Sequence, residues 1–185
     1  MTSWYNVRKA AQVAAFFARE EGGRINVLKL VKLIYLADRK HMGKYDRPIL
    51  NDKYVSMDHG PVNSITFDYI NGCHPERDGW EQFVTDRDNY QIGLVREDLS
   101  DGDLDELSEA ETETLREVWA RFGGMTKYEI RDWTHEHCPE WEDPSGSSAP
   151  IPYKRIFEFL GKAHAAELDA ELHAEHARCE MFAAG

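Results

Sequence analysis

Between Ile25 and Pro61 the chain reads INVLKLVKLIYLADRKHMGKYDRPILNDKYVSMDHGP, and this stretch constrains everything around it. On a wheel of about 100° per residue, a helix from Val27 to His41 places Val27, Leu28, Leu30, Val31, Leu33, Ile34, Tyr35 and Ala37 over well more than half its circumference. A surface helix carries a narrower apolar stripe, whereas one that is apolar nearly all round is buried. Lys29, Lys32, Arg39 and Lys40 share the narrow remainder, with Leu36 among them. The reading is a central helix packed on most sides, with one basic strip facing water or a partner.

Asp38 falls inside the apolar arc of that wheel and His41 close to its edge. Stranding a carboxylate on a buried face costs several kcal/mol in order of magnitude, so it must be hydrogen-bonded or paired. Asp38 therefore reads as a structural polar lock, bonded to backbone amides or a basic group. The alternative is a functional carboxylate with a perturbed pKa.

The rest of the chain organises around this helix. Trp4 to Glu20 has apolar residues at three- and four-residue steps and reads as a first helix, ended by Gly22-Gly23. Asn26 suits the N-cap of the central helix. Lys53 to Met57 reads as a short strand, His59-Gly60-Pro61 as a turn, and Pro61 as the first position of a short helix ending at Asn71-Gly72. WEQFV (80–84) and YQIGLV (90–95) read as a hairpin that could join the 53–57 strand in a small antiparallel sheet. Ser108 with Glu111, and Thr126 with Glu129, have capping-box spacing before helices 109–122 and 128–135. Glu142 to Pro152 reads as a loop, and Tyr153 to Glu180 as one long helix whose thin apolar side suits pairing with another chain or a second copy. The expected class is mainly α (α+β): a helical domain around a buried central helix, a small antiparallel sheet and a long C-terminal helix. Residues 1–160 form the domain, and 161–185 its helical extension.

Several side-chain clusters invite chemistry that their spacing does not support. Asp101, Asp103 and Asp105 begin like a calcium loop, but the sixth position is Glu106 and the twelfth Thr112, where glycine and glutamate are needed. A solvated acidic loop before a capped helix is the simpler reading. His135, His137 and Cys138 lack a second ligand pair at zinc-site spacing, and His173, His176 and Cys179 spread around one helix. No cofactor or metal is expected. Three distant cysteines suit reduced thiols. A net charge of −12 opposes broad contact with nucleic acid and favours a basic partner surface. No apolar run approaches the roughly 18 residues of a membrane span, and the start lacks the order of a signal peptide, so a cytoplasmic protein is expected.

KLVKLIYLADRKHMGKYDRPILNDKYVSMDHGPV and, later, LDELSEAETETLREVWARFGGMTKYEIRDWTHEHCPEW carry a likeness. Together and in this order they resemble the Panacea domain, the family of SocA-like antitoxins and phage-associated GepA-like proteins. Asp46 stands where that family's turn usually has glycine. The resemblance implies a bacterial antitoxin of a type II toxin–antitoxin system that neutralises a cognate protein toxin by direct binding. It also implies a role as a proteolytic adaptor presenting that toxin to a ClpXP-type protease. On this reading Lys32, Arg39, Asp58, His59 and Pro61 supply the partner surface and no residue is catalytic. The competing reading is a small acid–base enzyme using Asp38 with His59 or His135, which requires those groups within hydrogen-bond reach.

Overall fold

From Lys29 to Asp38 every residue of one helix is buried, so the central-helix expectation holds along that span. The computed structural model describes residues 4–75 and 77–183. Helix α1 (Val7–Glu20) leads through strand β1 (Arg24–Asn26) into the central helix α2 (Val27–Tyr45). Strands β2 (Tyr54–Met57) and β3 (Gly60–Asn63), helix α3 (Ser64–Ile70) and strand β4 (Gln91–Gly93) follow. Helices α4 (Glu109–Phe122) and α5 (Lys127–His137), strand β5 (Ala149–Ile151) and helices α6 (Tyr153–Phe159) and α7 (Ala165–Ala183) complete the order. α2 packs against α1, α4, α5, α6 and β3. The class is mainly α with a minor antiparallel component. None of the described helices is long and apolar enough to cross a membrane.

Local signals set most of the helix ends. Asn6 and Asn26 cap α1 and α2 through their side-chain oxygens. Both capping boxes form, Ser108 with Glu111 and Thr126 with Glu129, each satisfying donors that a helix start would leave bare.

The strands depart from expectation in instructive ways. Two small sheets form, β1–β4 and β3–β2–β5, all antiparallel. Residues 80–83 are turns, and Val84 makes only an isolated bridge to Leu94. Trp80, Phe83 and Val84 recur at three- and four-residue steps, which is helical rather than alternating spacing. The amides of Phe83 and Val84 accordingly donate to the Trp80 carbonyl. Pro61 lies in β3, not at a helix start; β3 is an edge strand, where a residue without an N–H is tolerated. Within the expected 142–152 loop, Ala149–Ile151 pairs with β2 as β5.

The C-terminal helix is two helices. Gly161 adopts φ +74°, and Lys162 N donates back to the Phe157 carbonyl, the left-handed stop that glycine allows. α7 then packs on α6, burying Ala165, Leu172 and His176, with the His176 ring stacked on Trp4 at 4.8 Å.

The acidic run is clamped rather than merely solvated. Asp101 pairs with Arg19 and Arg116, Asp103 with Arg96, and Asp105 with Arg8 and Gln12. Buried Gln12 also accepts from the Glu106 amide, so α1 holds this loop from beneath. Hydrogen bonds from Ser100 and from Arg96 hold Asp103 down at about 2.

Asp38, on the apolar arc of the wheel, is buried among hydrogen-bond donors. It is 1% exposed and accepts from the amides of Ile49 (2.8 Å) and Leu50 (3.1 Å), the Tyr54 hydroxyl (2.9 Å) and Asn63 Nδ2 (2.6 Å). One side chain thus ties α2 to the turn after it, to β2 and to the end of β3. A second buried carboxylate, Asp52, escaped the sequence reading. It accepts from the amides of Lys53, Ile65 and Thr66 and from the Thr66 hydroxyl, capping α3, whose own N-cap Asn63 makes no side-chain cap bond. His41 is buried against Thr114 Oγ1 at 3.1 Å, and burial pushes its pKa down. Burial raises Asp38 to about 6 and Asp52 to about 7, against the opposing effect of their hydrogen bonds.

Two outcomes are expected from this arrangement. Asp38→Ala leaves four donors without an acceptor and should cost about 3–5 kcal/mol, read as a lowered urea midpoint. A carboxyl whose folded pKa lies above its unfolded value stabilises the fold below the unfolded pKa and loses that contribution as pH climbs through the folded one. Stability should therefore fall between about pH 4 and pH 7 by several kcal/mol in order of magnitude. Urea titrations across that window check this, and Asp52→Asn should flatten the fall.

Candidate functional site

The N-terminal end of α2, the β2–β3 turn and the start of α5 enclose a groove of about 490 Å³. Val27, Leu28 and Val31 from α2 and Val62 from β3 give it an apolar wall. Asp58 and His59 are exposed at the turn, and Lys127 and Tyr128 stand at the first turn of α5. Arg87 and Tyr90, from the turn before β4, close the far side.

Lys32 sits within this groove and is 0% exposed. The expectation of a solvent-facing basic strip is overturned here, because β3 and α5 cover the side of α2 that carries it. Lys32 Nζ donates to the Pro61 carbonyl at 2.8 Å and joins no ion pair among the described residues. Burial lowers its pKa to about 7. Gly60 makes this close fit possible. Its φ is +97°, and a Cβ there would come within 2.9 Å of Thr134 Oγ1 and 3.0 Å of Lys32 Nζ.

The turn over Lys32 is held from outside. Asp58 accepts from the Gly146 amide at 3.0 Å, and Trp141 Nε1 donates to the Met57 carbonyl at 2.9 Å. The His135 ring stacks on Trp141 at 4.1 Å. At the rim, Tyr90 is 70% and Tyr128 54% exposed. Arg87 lies over the Tyr90 ring at 4.8 Å, and Lys127 over Tyr128 at 5.0 Å.

Of the residues expected at a partner surface, the structure brings Lys32, Asp58 and His59 together, with Pro61 placing its carbonyl on Lys32. Arg39 is elsewhere. Its Nε donates to Glu140 at 2.6 Å, its side chain is 17% exposed, and Glu140 is fully buried and also accepts from the Tyr35 hydroxyl at 2.6 Å. Arg39 thus acts as a tie between α2 and the segment after α5. Its partner lay 101 residues away in sequence, beyond any local pattern. Lys127, Tyr128, Arg87 and Tyr90 were missed. The first two follow the Thr126 cap directly, a signal that fixed the helix without revealing what its first turn faces.

The acid–base pairing proposed for Asp38 is not assembled, since the side chain is taken by Ile49, Leu50, Tyr54 and Asn63 rather than by His59 or His135. Of the other histidine clusters, the His173 and His176 rings meet edge-on at 6.3 Å. His137 stacks on Trp133 at 4.4 Å and shares a hydrogen bond with the Trp133 carbonyl, while burial pushes the Cys138 thiol up to about 12. No group of three or more His, Cys, Asp or Glu among the described residues could hold a metal ion.

A family profile described as "Antitoxin SocA-like, Panacea domain" matches residues 30–142. The match runs from the first turn of α2 to just beyond α5, taking in Asp38 and its donors, the β2–β3 turn, the Arg39–Glu140 tie and the α5 side of the groove. No curated protein and no solved structure matches the chain. With the profile spanning more than half of the sequence, the chain belongs to the Panacea-domain family of SocA-like antitoxins.

Proposed function

We propose that this protein is the antitoxin of a type II toxin–antitoxin pair and neutralises a cognate protein toxin by direct binding in the Lys32 groove. Family membership carries the antitoxin role. The groove is favoured as the docking site because it combines exposed aromatic rims, an apolar wall and unpaired cations, the mixture that anchors protein interfaces. Asp58 and His59 contact the toxin at the turn, Lys32 meets it from beneath once released from the Pro61 carbonyl that positions it, and Arg39 supports the fold beneath.

The same reading extends to presentation of the bound toxin to a ClpXP-type protease, supported by the family likeness. Self-association through α7 is a further part of it, since Met181 and Phe182 are 77% and 87% exposed near its end. The site of action is the cytoplasm.

The test is co-expression with the product of the adjacent reading frame. That product alone should arrest growth, and this protein should restore growth and co-purify with it. Replacing Tyr90 and Tyr128 together by alanine should weaken the complex about 10- to 100-fold while leaving the urea midpoint unchanged. Arg39→Ala should do the reverse, lowering the midpoint first. A neighbour that is harmless and does not co-purify would sink the proposal.

A further inference from the structure

The distribution of paired and unpaired cations says what chemistry the groove is made to receive. The chain has 22 Lys and Arg among 34 Asp and Glu, so carboxylates are in excess. Among the described residues all of these cations stand in ion pairs except Lys32, Lys53, Arg87, Arg121, Lys127 and Arg178. Lys53 lies over the Trp4 ring and Arg121 over Phe122 and Trp133. Lys32, Arg87 and Lys127 line this single groove.

Lys32 is the decisive one. An ammonium has three donors, and among the described residues this buried group makes one hydrogen bond, to the Pro61 carbonyl. Keeping a buried ammonium charged without a counter-charge is costly, in line with its lowered pKa, and this one lies beside an open cavity. Among the described residues Arg87 is bonded to the neutral Asn71 amide oxygen and stacked on Tyr90, with no carboxylate against it, so it keeps its charge available. The helix end is not the seat, because the Val27 and Leu28 amides already donate to the Tyr90 carbonyl and to Asn26. The one carboxylate on the wall, Asp58, accepts from the Gly146 amide and joins no ion pair among the described residues, so cations outnumber it three to one around the groove.

We infer that the groove seats a carboxylate side chain, carried on an apolar segment of the protein partner, against Lys32. This rests on the groove being the docking site of the antitoxin reading. The carboxylate supplies the counter-charge Lys32 lacks once the lysine side chain swings out from the Pro61 carbonyl, its apolar neighbour covers Leu28, Phe67 and the exposed Tyr90 and Tyr128 rings, and Lys127 and Arg87 steer it from the rim. A nucleic acid strand fits less well, since a chain of net charge −12 repels a polyanion beyond these few cations.

The experiment selects binders to the full chain from a random-peptide display library and measures their affinities. Selected peptides should share an Asp or Glu beside a large apolar residue. Changing that acid to its amide, or using Lys32→Met, should weaken binding about 30-fold or more. Lys127→Glu should weaken it a few-fold and most strongly at low salt. A thermal melt checks that Lys32→Met folds; the amide-substituted peptide and surface Lys127→Glu test the charge contact without touching the core. Failure to select binders would overturn the inference, as would peptides lacking an acid or binding Lys32→Met as tightly as the parent. So would an oligonucleotide or inorganic phosphate binding in the groove where peptides do not, or toxin rescue that survives both lysine substitutions. A harmless neighbour alongside acid-dependent peptide binding would instead sink only the antitoxin assignment.

Discussion

A carboxylate in the middle of an apolar helix surface is tolerable only if the rest of the chain comes to it with donors. Asp38 draws in the Ile49 and Leu50 amides, the Tyr54 hydroxyl and the Asn63 amide. Those contacts fix where the chain goes after α2 ends, how β2 lies over it, and where β3 must finish. Asp52 repeats the device further along the chain, converting the end of β3 into the start of α3 through the Ile65 and Thr66 amides. The turn carrying Asp58 to Pro61 hangs between these two anchors. A groove whose wall includes a tight turn needs that turn held at both ends, and two buried acids hold it.

That dependence explains what the sequence made legible. The near-complete apolar circumference of α2 has one physical solution, burial, and it is found. Asp38 on that arc has one inexpensive solution, and it too is found. Capping boxes and the Gly22-Gly23 stop are contacts within a few residues, so they too could be read locally. The same holds for the family likeness, whose motifs are the lock helix, its turn and the α5 exit.

What failed was decided at long range or by small conformational choices. Lys32 sits on the polar strip of the wheel, yet whether a strip meets water depends on which element lies across it, and β3 is placed there by contacts made elsewhere. Arg39 shares the strip and has another fate, because Glu140 arrives over it. Tyr153 to Glu180 has helical composition throughout, and one left-handed glycine at 161 divides it. The 80–84 segment has strand-forming residues, but its spacing at three and four steps governs, and Trp80 fills the core from a turn.

Net charge misleads most at the groove. A total of −12 suggests a basic partner, but the groove departs locally from that total, since Lys32, Arg87 and Lys127 line it against Asp58, while elsewhere Asp101 and Asp105 pair with Arg19 and Arg8 of α1 and Glu117 with Lys40 and Lys44. A charge satisfied within the fold projects little field at a docking partner, whereas an unpaired one in a low-dielectric recess projects much more. The charges left over at the groove are predominantly positive. Specificity then follows from cost: a partner with no acid to place leaves Lys32 uncompensated and buried more deeply than before, a penalty that an acidic, apolar segment avoids.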